Sequence, residues 1–228
     1  MQDIVPHTFF LEALLKKMEN HRDEQQASKM KTYMKNHFEF YGIQQPLRKQ
    51  VLKDIMRQYE LPKGEEFYQL LQALWMCEER ECQYLALDLM DKRKQDFTAV
   101  QIPLLEYMVQ EKSWWDTVDL LASRQMGKIL LEHRELMESK VEEWLSSGNL
   151  WLQRTALLFQ LKYKEQTDWN LLFACIESLK ESKEFFIQKA IGWTLREYGK
   201  TAPQRVMLFV EDTPLAPLSK REALKHLK

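Results

Sequence analysis

A degenerate pattern recurs along this chain at the spacing of stacked helix pairs. It reads Glu81-Cys82-Gln83-Tyr84-Leu85-Ala86-Leu87, then Asn149-Leu150-Trp151-Leu152-Gln153-Arg154-Thr155-Ala156, then Glu184-Phe185-Phe186-Ile187-Gln188-Lys189-Ala190. Each copy sets an aromatic or apolar cluster ahead of a small residue, and Ala156 and Ala190 stand 34 residues apart. The segment Trp114 to Leu121 falls between the first two copies at a similar interval. A unit of this size is one helix pair, which cannot bury its apolar face alone, so neighbouring pairs stack. The small residue at the repeat position lets helices approach closely. The expected fold is therefore all-α: an α-solenoid of HEAT-like helical repeats, one domain over residues 1–228, with a concave face suited to an extended ligand.

Composition agrees. Six Gly and seven Pro are few for 228 residues, which argues against a sandwich of tightly turning strands. Leu, Lys, Glu, Gln and Met dominate, and all favour helices. Periodicity predicts helices over 8–19, 47–59, 65–76, 79–91, 97–111, 113–122, 124–131, 135–146, 150–164, 168–180, 183–198, 202–210 and 218–227. A further helix is expected to end on His37-Phe38-Glu39-Phe40-Tyr41-Gly42 with Gly42 as its C-cap, and Pro46 to open the next. No low-complexity linker divides the chain.

The net charge of −1 announces no nucleic-acid partner, but its distribution is uneven. Residues 1–60 carry +2, residues 61–150 carry −7, and residues 151–228 carry +4. A local basic surface is what phosphate binding needs. Cys77, Cys82 and Cys175 fit neither a zinc site nor a redox pair, and free thiols imply a reducing compartment. The stretch Met1 to Lys17 lacks the basic start of a signal peptide, and no apolar run has the length of a membrane span. A cytoplasmic protein with no membrane association is expected.

The chemistry concentrates in Lys112-Ser113-Trp114-Trp115-Asp116-Thr117-Val118-Asp119. Ser113 suits an N-cap, with Asp116 as the capping acid three residues on. Trp115 and Asp119 are four apart and share a helix face. An indole face attracts cations, and a carboxylate stabilises developing positive charge. The alternative is a core tryptophan beside a solvated aspartate. On the last repeat, Lys189, Trp193 and Arg196 lie at i, i+4 and i+7 on one stripe, with Phe186, Ile187, Ile191 and Leu195 assigned to the core face. On the middle repeat, Trp151 and Arg154 precede Lys162 and Lys164. If these helices line one surface, two indoles, one carboxylate and several cations meet there. Cations suit phosphates, while indoles and a carboxylate suit a positively charged group. DNA carrying an N-alkylated purine has both properties. Alkylation at N3 or N7 makes the base a cationic leaving group, and loss of the base leaves an oxocarbenium-like sugar that a carboxylate stabilises. His7, His21, His37, His133 and His226 lack metal spacing and read as surface or capping residues; there is no phosphate-binding loop or nucleophile elbow. No metal or cofactor is called for.

The chain resembles the AlkD-like family of alkylpurine DNA glycosylases, which are built of HEAT-like repeats. The matching stretches are Tyr33-Met34-Lys35-Asn36-His37-Phe38, Gly42-Ile43-Gln44, Lys112-Ser113-Trp114-Trp115-Asp116, Trp151-Leu152-Gln153-Arg154 and Phe159-Gln160-Leu161-Lys162-Tyr163-Lys164, and they continue through Lys183 to Trp193 and Leu215 to Ala223. The resemblance implies that Trp115 packs on the lesion's deoxyribose. It implies that Asp119 is the catalytic carboxylate, Trp193 the second cleft tryptophan, and Arg154 a backbone-phosphate contact. Tyr33, Gln44, Lys162, Lys164 and Arg196 match groove-lining positions, and Lys189 joins them as a cation of the same stripe. The implied activity is metal-free hydrolytic release of 3-methyladenine and 7-methylguanine from double-stranded DNA by a monomer, without flipping the base, unlike most glycosylases. Gln45 departs from the pattern, where a smaller hydroxyl residue is expected. Relatives lacking the cleft residues suggest the alternative of a DNA-binding repeat protein without catalysis, and a protein–protein scaffold is the common use of such repeats.

Overall fold

The computed structural model describes residues 6–225. Residues 1–5, which begin the stretch read for a signal peptide, lie outside the described residues, as do His226 and the side chain of His7. Among the described residues the regular structure is helical, and the one extended pairing is an isolated bridge between Glu39 and Glu79.

The helices are α1 (Pro6–Glu19), α2 (Glu24–Tyr33), α3 (Gln45–Gln58), α4 (Gly64–Met76), α5 (Arg80–Lys92), α6 (Ile102–Gln110), α7 (Trp115–Leu120), α8 (Gly127–Glu132), α9 (Met137–Ser146), α10 (Leu150–Leu158), α11 (Trp169–Leu179), α12 (Phe185–Tyr198), α13 (Pro203–Asp212) and α14 (Pro217–Ala223). The expected all-α class is what forms among the described residues. Two compact units result, Met1–Lys94 and Gln95–Lys228.

In the first unit α1 packs on α3 and α4, and α5 closes against both. Phe10, Leu14, Met18, Leu70, Leu74 and Trp75 fill its core. The repeat alanine Ala86 is fully buried on α5, where it lets that helix sit close to its neighbours. In the second unit α10 is central, touching α6, α9, α11 and α12, and α14 lies along α12. Ala156 and Ala190, the other two repeat alanines, are buried on α10 and α12.

Several boundaries differ from the expectation. α2 ends at Tyr33, and the chain turns through Lys35 and Asn36 in left-handed conformations, so His37 to Gly42 is not a helix end. Gly42 sits in the following loop at φ 86°, where a Cβ would stand 2.1 Å from the Asp23 carbonyl oxygen. Glu81 orders that loop: its buried carboxylate accepts the backbone N–H groups of Tyr41, Gly42 and Ile43 at 3.1, 2.9 and 2.9 Å. Ser113 is not the N-cap of α7. Its hydroxyl donates instead to the Val109 carbonyl at 2.7 Å, closing the end of α6, and Trp114 takes the cap position. The break expected near residue 123 is absent, because α7 runs into α8 through a π-helical turn, Leu121–Met126. A π turn absorbs one extra residue without ending the helix, and such turns gather at functional sites. Lys162 and Lys164 fall beyond the end of α10, on a turn and a short 3-10 segment, rather than on the helix expected over 150–164.

Candidate active site

The site lies within the second unit. α7, α10, α12 and α14 surround a cleft of 360 Å³, lined by Trp115, Asp119, Arg154, Phe185, Phe186, Lys189, Trp193, Arg196 and Glu222. The i, i+4 spacing of Trp115 and Asp119 and the 189/193/196 stripe thus meet across one cavity.

At its floor Arg154 holds Asp119 by both oxygens. Arg154 Nε donates to Asp119 Oδ1 at 2.7 Å and Nη2 to Oδ2 at 2.9 Å. A planar guanidinium matched to a carboxylate in this way fixes orientation as well as charge. Arg154 Nη1 also donates to the Phe186 carbonyl, which ties the pair to the start of α12. Arg154 is 4% exposed and Asp119 12% exposed. Burial pushes the Asp119 carboxyl above its usual range; Arg154, by hydrogen bond and charge, acts against that shift. The Ser123 hydroxyl donates to the Asp119 carbonyl at 2.7 Å, bracing the backbone where the π turn begins.

Behind the cleft, three rings support its wall. Phe186 sits 5.0 Å from the Trp114 ring, edge-on, and 5.1 Å from Trp151, and the two indoles are 5.8 Å apart. Edge-to-face and tilted contacts of this kind stabilise beyond the area they bury. Periodicity puts Phe186 on the core face of α12; it is instead a half-buried wall residue, because Trp151 and Arg154 of α10 meet α12 at its first turn.

An ion triad joins α12 to α14 at the cleft. Glu222 on α14 accepts from Lys189 Nζ at 3.0 Å and from Arg196 Nη1 at 2.9 Å. Sequence reading missed Glu222, Phe185 and Phe186. Glu222 falls inside the matched stretch 215–223, yet its partners on α12 are remote in the chain, so nothing local marks it.

The remaining expected residues stand elsewhere. Lys162 and Lys164 are exposed, and Lys164 borders a separate cavity of 190 Å³ with Gln160, Thr194 and Tyr198. Tyr33 and Gln44 belong to the first unit, where both are exposed. Among the described residues no group of His, Cys, Asp and Glu side chains is disposed to hold a metal ion. His21 and His37 are exposed and His133 pairs with Glu135, in keeping with surface roles. Cys77, Cys82 and Cys175 form no disulfide. No helix among the described residues is long and apolar enough to cross a membrane.

Residues 14–227 match the model of a family described as DNA alkylation repair enzymes. The chain belongs to that family. It is also similar to a structure described as a predicted DNA alkylation repair enzyme from Enterococcus faecalis, at 35% identity, with a TM-score of 0.84 over 91% of this chain and 97% of that one. No curated protein matches the chain. Family membership makes the protein an enzyme of DNA repair whose partner is DNA, and the cleft of the second unit is its candidate active site.

Proposed function

We propose that this repair enzyme is a monofunctional glycosylase. It hydrolyses the N-glycosidic bond of purines alkylated at N3 or N7, such as 3-methyladenine and 7-methylguanine, in double-stranded DNA. The observation that carries the reading is a carboxylate clamped by an arginine on the floor of a cleft that two indoles also line.

The chemistry follows from charge. The alkylated base is already cationic, so it leaves as a neutral molecule and needs little acid assistance. Positive charge then develops on the deoxyribose, and the Asp119 carboxylate stabilises it. Arg154 keeps both carboxylate oxygens oriented before substrate arrives, so little reorganisation is needed at the moment of reaction. Asp119 then orients water toward the anomeric carbon. Trp115 and Trp193 pack on the sugar and attract its charge. Lys189 and Arg196 grip neighbouring phosphates, and Tyr33, Gln44, Lys162 and Lys164 add contacts elsewhere along the duplex. The cleft recognises sugar and backbone, so the base need not be flipped into a pocket of its own. The enzyme acts as a monomer in the cytosol, and residues 1–228 work as one glycosylase domain.

A second reading, DNA binding without catalysis, draws on one observation. Both oxygens of Asp119 are already engaged, as in a purely structural ion pair. Chromatography of bases freed from methylated duplex, in the presence of chelator, separates the two. The wild-type protein is expected to release the methylated purines, and Asp119→Asn to lose most of that release. Unchanged release by the variant would remove the carboxylate from the mechanism, and no release by either would leave the non-catalytic reading.

A further inference from the structure

The charged residues lining the cleft do not add up to a strongly cationic surface. Arg154, Lys189 and Arg196 contribute three positive charges, while Asp119 and Glu222 contribute two negative ones. One positive charge is left over, in a site meant to meet a polyanion. Asp119 and Arg154 cancel each other at the floor. The balance at the wall is set by Glu222.

Glu222 is built in rather than incidental. α14 lies so close to α12 that a Cβ on Gly192 would stand 2.4 Å from the Glu222 Cβ and 2.8 Å from the Ser219 carbonyl oxygen. Glycine at 192 is what permits the approach. The Ser219 hydroxyl donates to the Gln188 carbonyl at 2.9 Å, and Arg196 Nη1 donates to the Glu222 carbonyl at 3.0 Å as well as to its carboxylate. Backbone and side chain of residue 222 are thus both anchored on α12. Its side chain is 13% exposed and held between Lys189 and Arg196. Lys189 is 38% exposed and Arg196 20% exposed, and both line the cleft with part of their charge already answered. Lys189 and Arg196 hold the Glu222 carboxyl below its usual range, which keeps it ionised across the neutral region.

We propose that Glu222 is a specificity-determining residue: by answering the charge of Lys189 and Arg196 from a fixed position, it weakens the cleft's hold on ordinary DNA backbone, so that discrimination falls to the indoles and Asp119. The inference rests on the reading that this cleft takes DNA. Phosphate contacts carry no sequence or lesion information, and each one releases counterions. A repair enzyme that gripped every phosphate strongly would be held by undamaged duplex, which is in vast excess. A partly neutralised pair of cations still steers the backbone while leaving affinity to depend on a positively charged lesion.

The test compares two duplexes of one sequence, undamaged and carrying a cationic pyrrolidine in place of one deoxyribose, titrated over a range of salt. Glu222→Gln keeps the shape and removes the charge. It is expected to bind undamaged duplex about five- to tenfold more tightly at low salt, to steepen the salt slope by about 0.9 per phosphate contact regained, and to narrow the preference for the cationic duplex. Adding Lys189→Gln to that variant restores the net charge and is expected to return the slope to the wild-type value. Equal or weaker binding of undamaged duplex by Glu222→Gln, or an undiminished gain in the double variant, overturns the inference. Lys189→Gln alone gives a reading independent of how well α14 tolerates change. It is expected to lower the slope by clearly less than the 0.9 of a fully effective phosphate contact, and a full loss of about 0.9 counts against the proposal. If the wild-type protein shows no salt-dependent binding to either duplex, the reading of the cleft as a DNA site fails, and the inference with it.

Discussion

Arg154 and Asp119, 35 positions apart in the chain, form a two-pronged ion pair at 2.7 and 2.9 Å on the floor of the cleft. The guanidinium is as buried as a core side chain, and three of its N–H groups are committed to Asp119 and to the Phe186 carbonyl. The resemblance implied a phosphate contact for this arginine. Its geometry gives it a prior task, holding the carboxylate.

Arg154→Ala is therefore expected to act on both stability and rate. It leaves Asp119 buried without a counter-charge, and breaking a buried pair from one side costs about 3–5 kcal/mol. Denaturant titration checks the first effect. Single-turnover base release checks the second, where loss of orientation is expected to slow the reaction by about 10²-fold. A stable variant with unaltered release would show that Asp119 needs no positioning.

Base release is expected to fall on acidification, and to do so early. Only the ionised carboxylate stabilises a sugar cation, so activity rises with pH as Asp119 loses its proton. Burial raises the pKa of that carboxyl, so the acid limb lies above the ordinary aspartate value of about 3.9. A single-turnover pH profile, corrected for spontaneous depurination, reads the limb directly. Full activity maintained down to about pH 4 would contradict the buried-carboxylate assignment.

Gly192→Ala is expected to push α14 away from α12. Its Cβ would stand 2.4 Å from the Glu222 Cβ, too near for any rotamer change to relieve, and overpacking of this kind costs about 1–3 kcal/mol. Thermal melting checks the cost. Loss of the Glu222 contacts to Lys189 and Arg196 accompanies it, so the salt dependence of DNA binding is expected to change with stability.

Glu81→Ala tests the loop that carries Gln44. Three backbone N–H groups lose their acceptor at once, and each buried unsatisfied donor costs about 1–3 kcal/mol. A loss of about 3 kcal/mol or more is expected, along with faster amide exchange at Tyr41, Gly42 and Ile43. Glu81→Gln keeps one acceptor oxygen and is expected to lose less.

The features legible before the fold was known are those that repeat at short range. The stripe of Lys189, Trp193 and Arg196 and the pair Trp115 and Asp119 are set by helical spacing alone, and all five residues line the cleft. The buried alanines at 86, 156 and 190 mark the close-packed positions for the same reason. Boundaries were less legible. Ser113 has the chemistry of an N-cap but finds the end of α6 nearer, and the π turn at Leu121–Met126 keeps a helix running where periodicity breaks. Local sequence states which bonds a side chain can make, and tertiary packing selects among them.

What the chain alone determined is therefore the helical class and the faces on which indoles, cations and Asp119 stand, because a 3.6-residue period reaches no further than a few turns. What tertiary structure decided is which charges meet. Arg154 found Asp119, and Glu222 found Lys189 and Arg196, through contacts spanning 26 to 35 residues that follow from helix packing. In a cleft lined by buried ion pairs, the partner that packing supplies fixes both the charge a side chain presents and the direction in which it presents it.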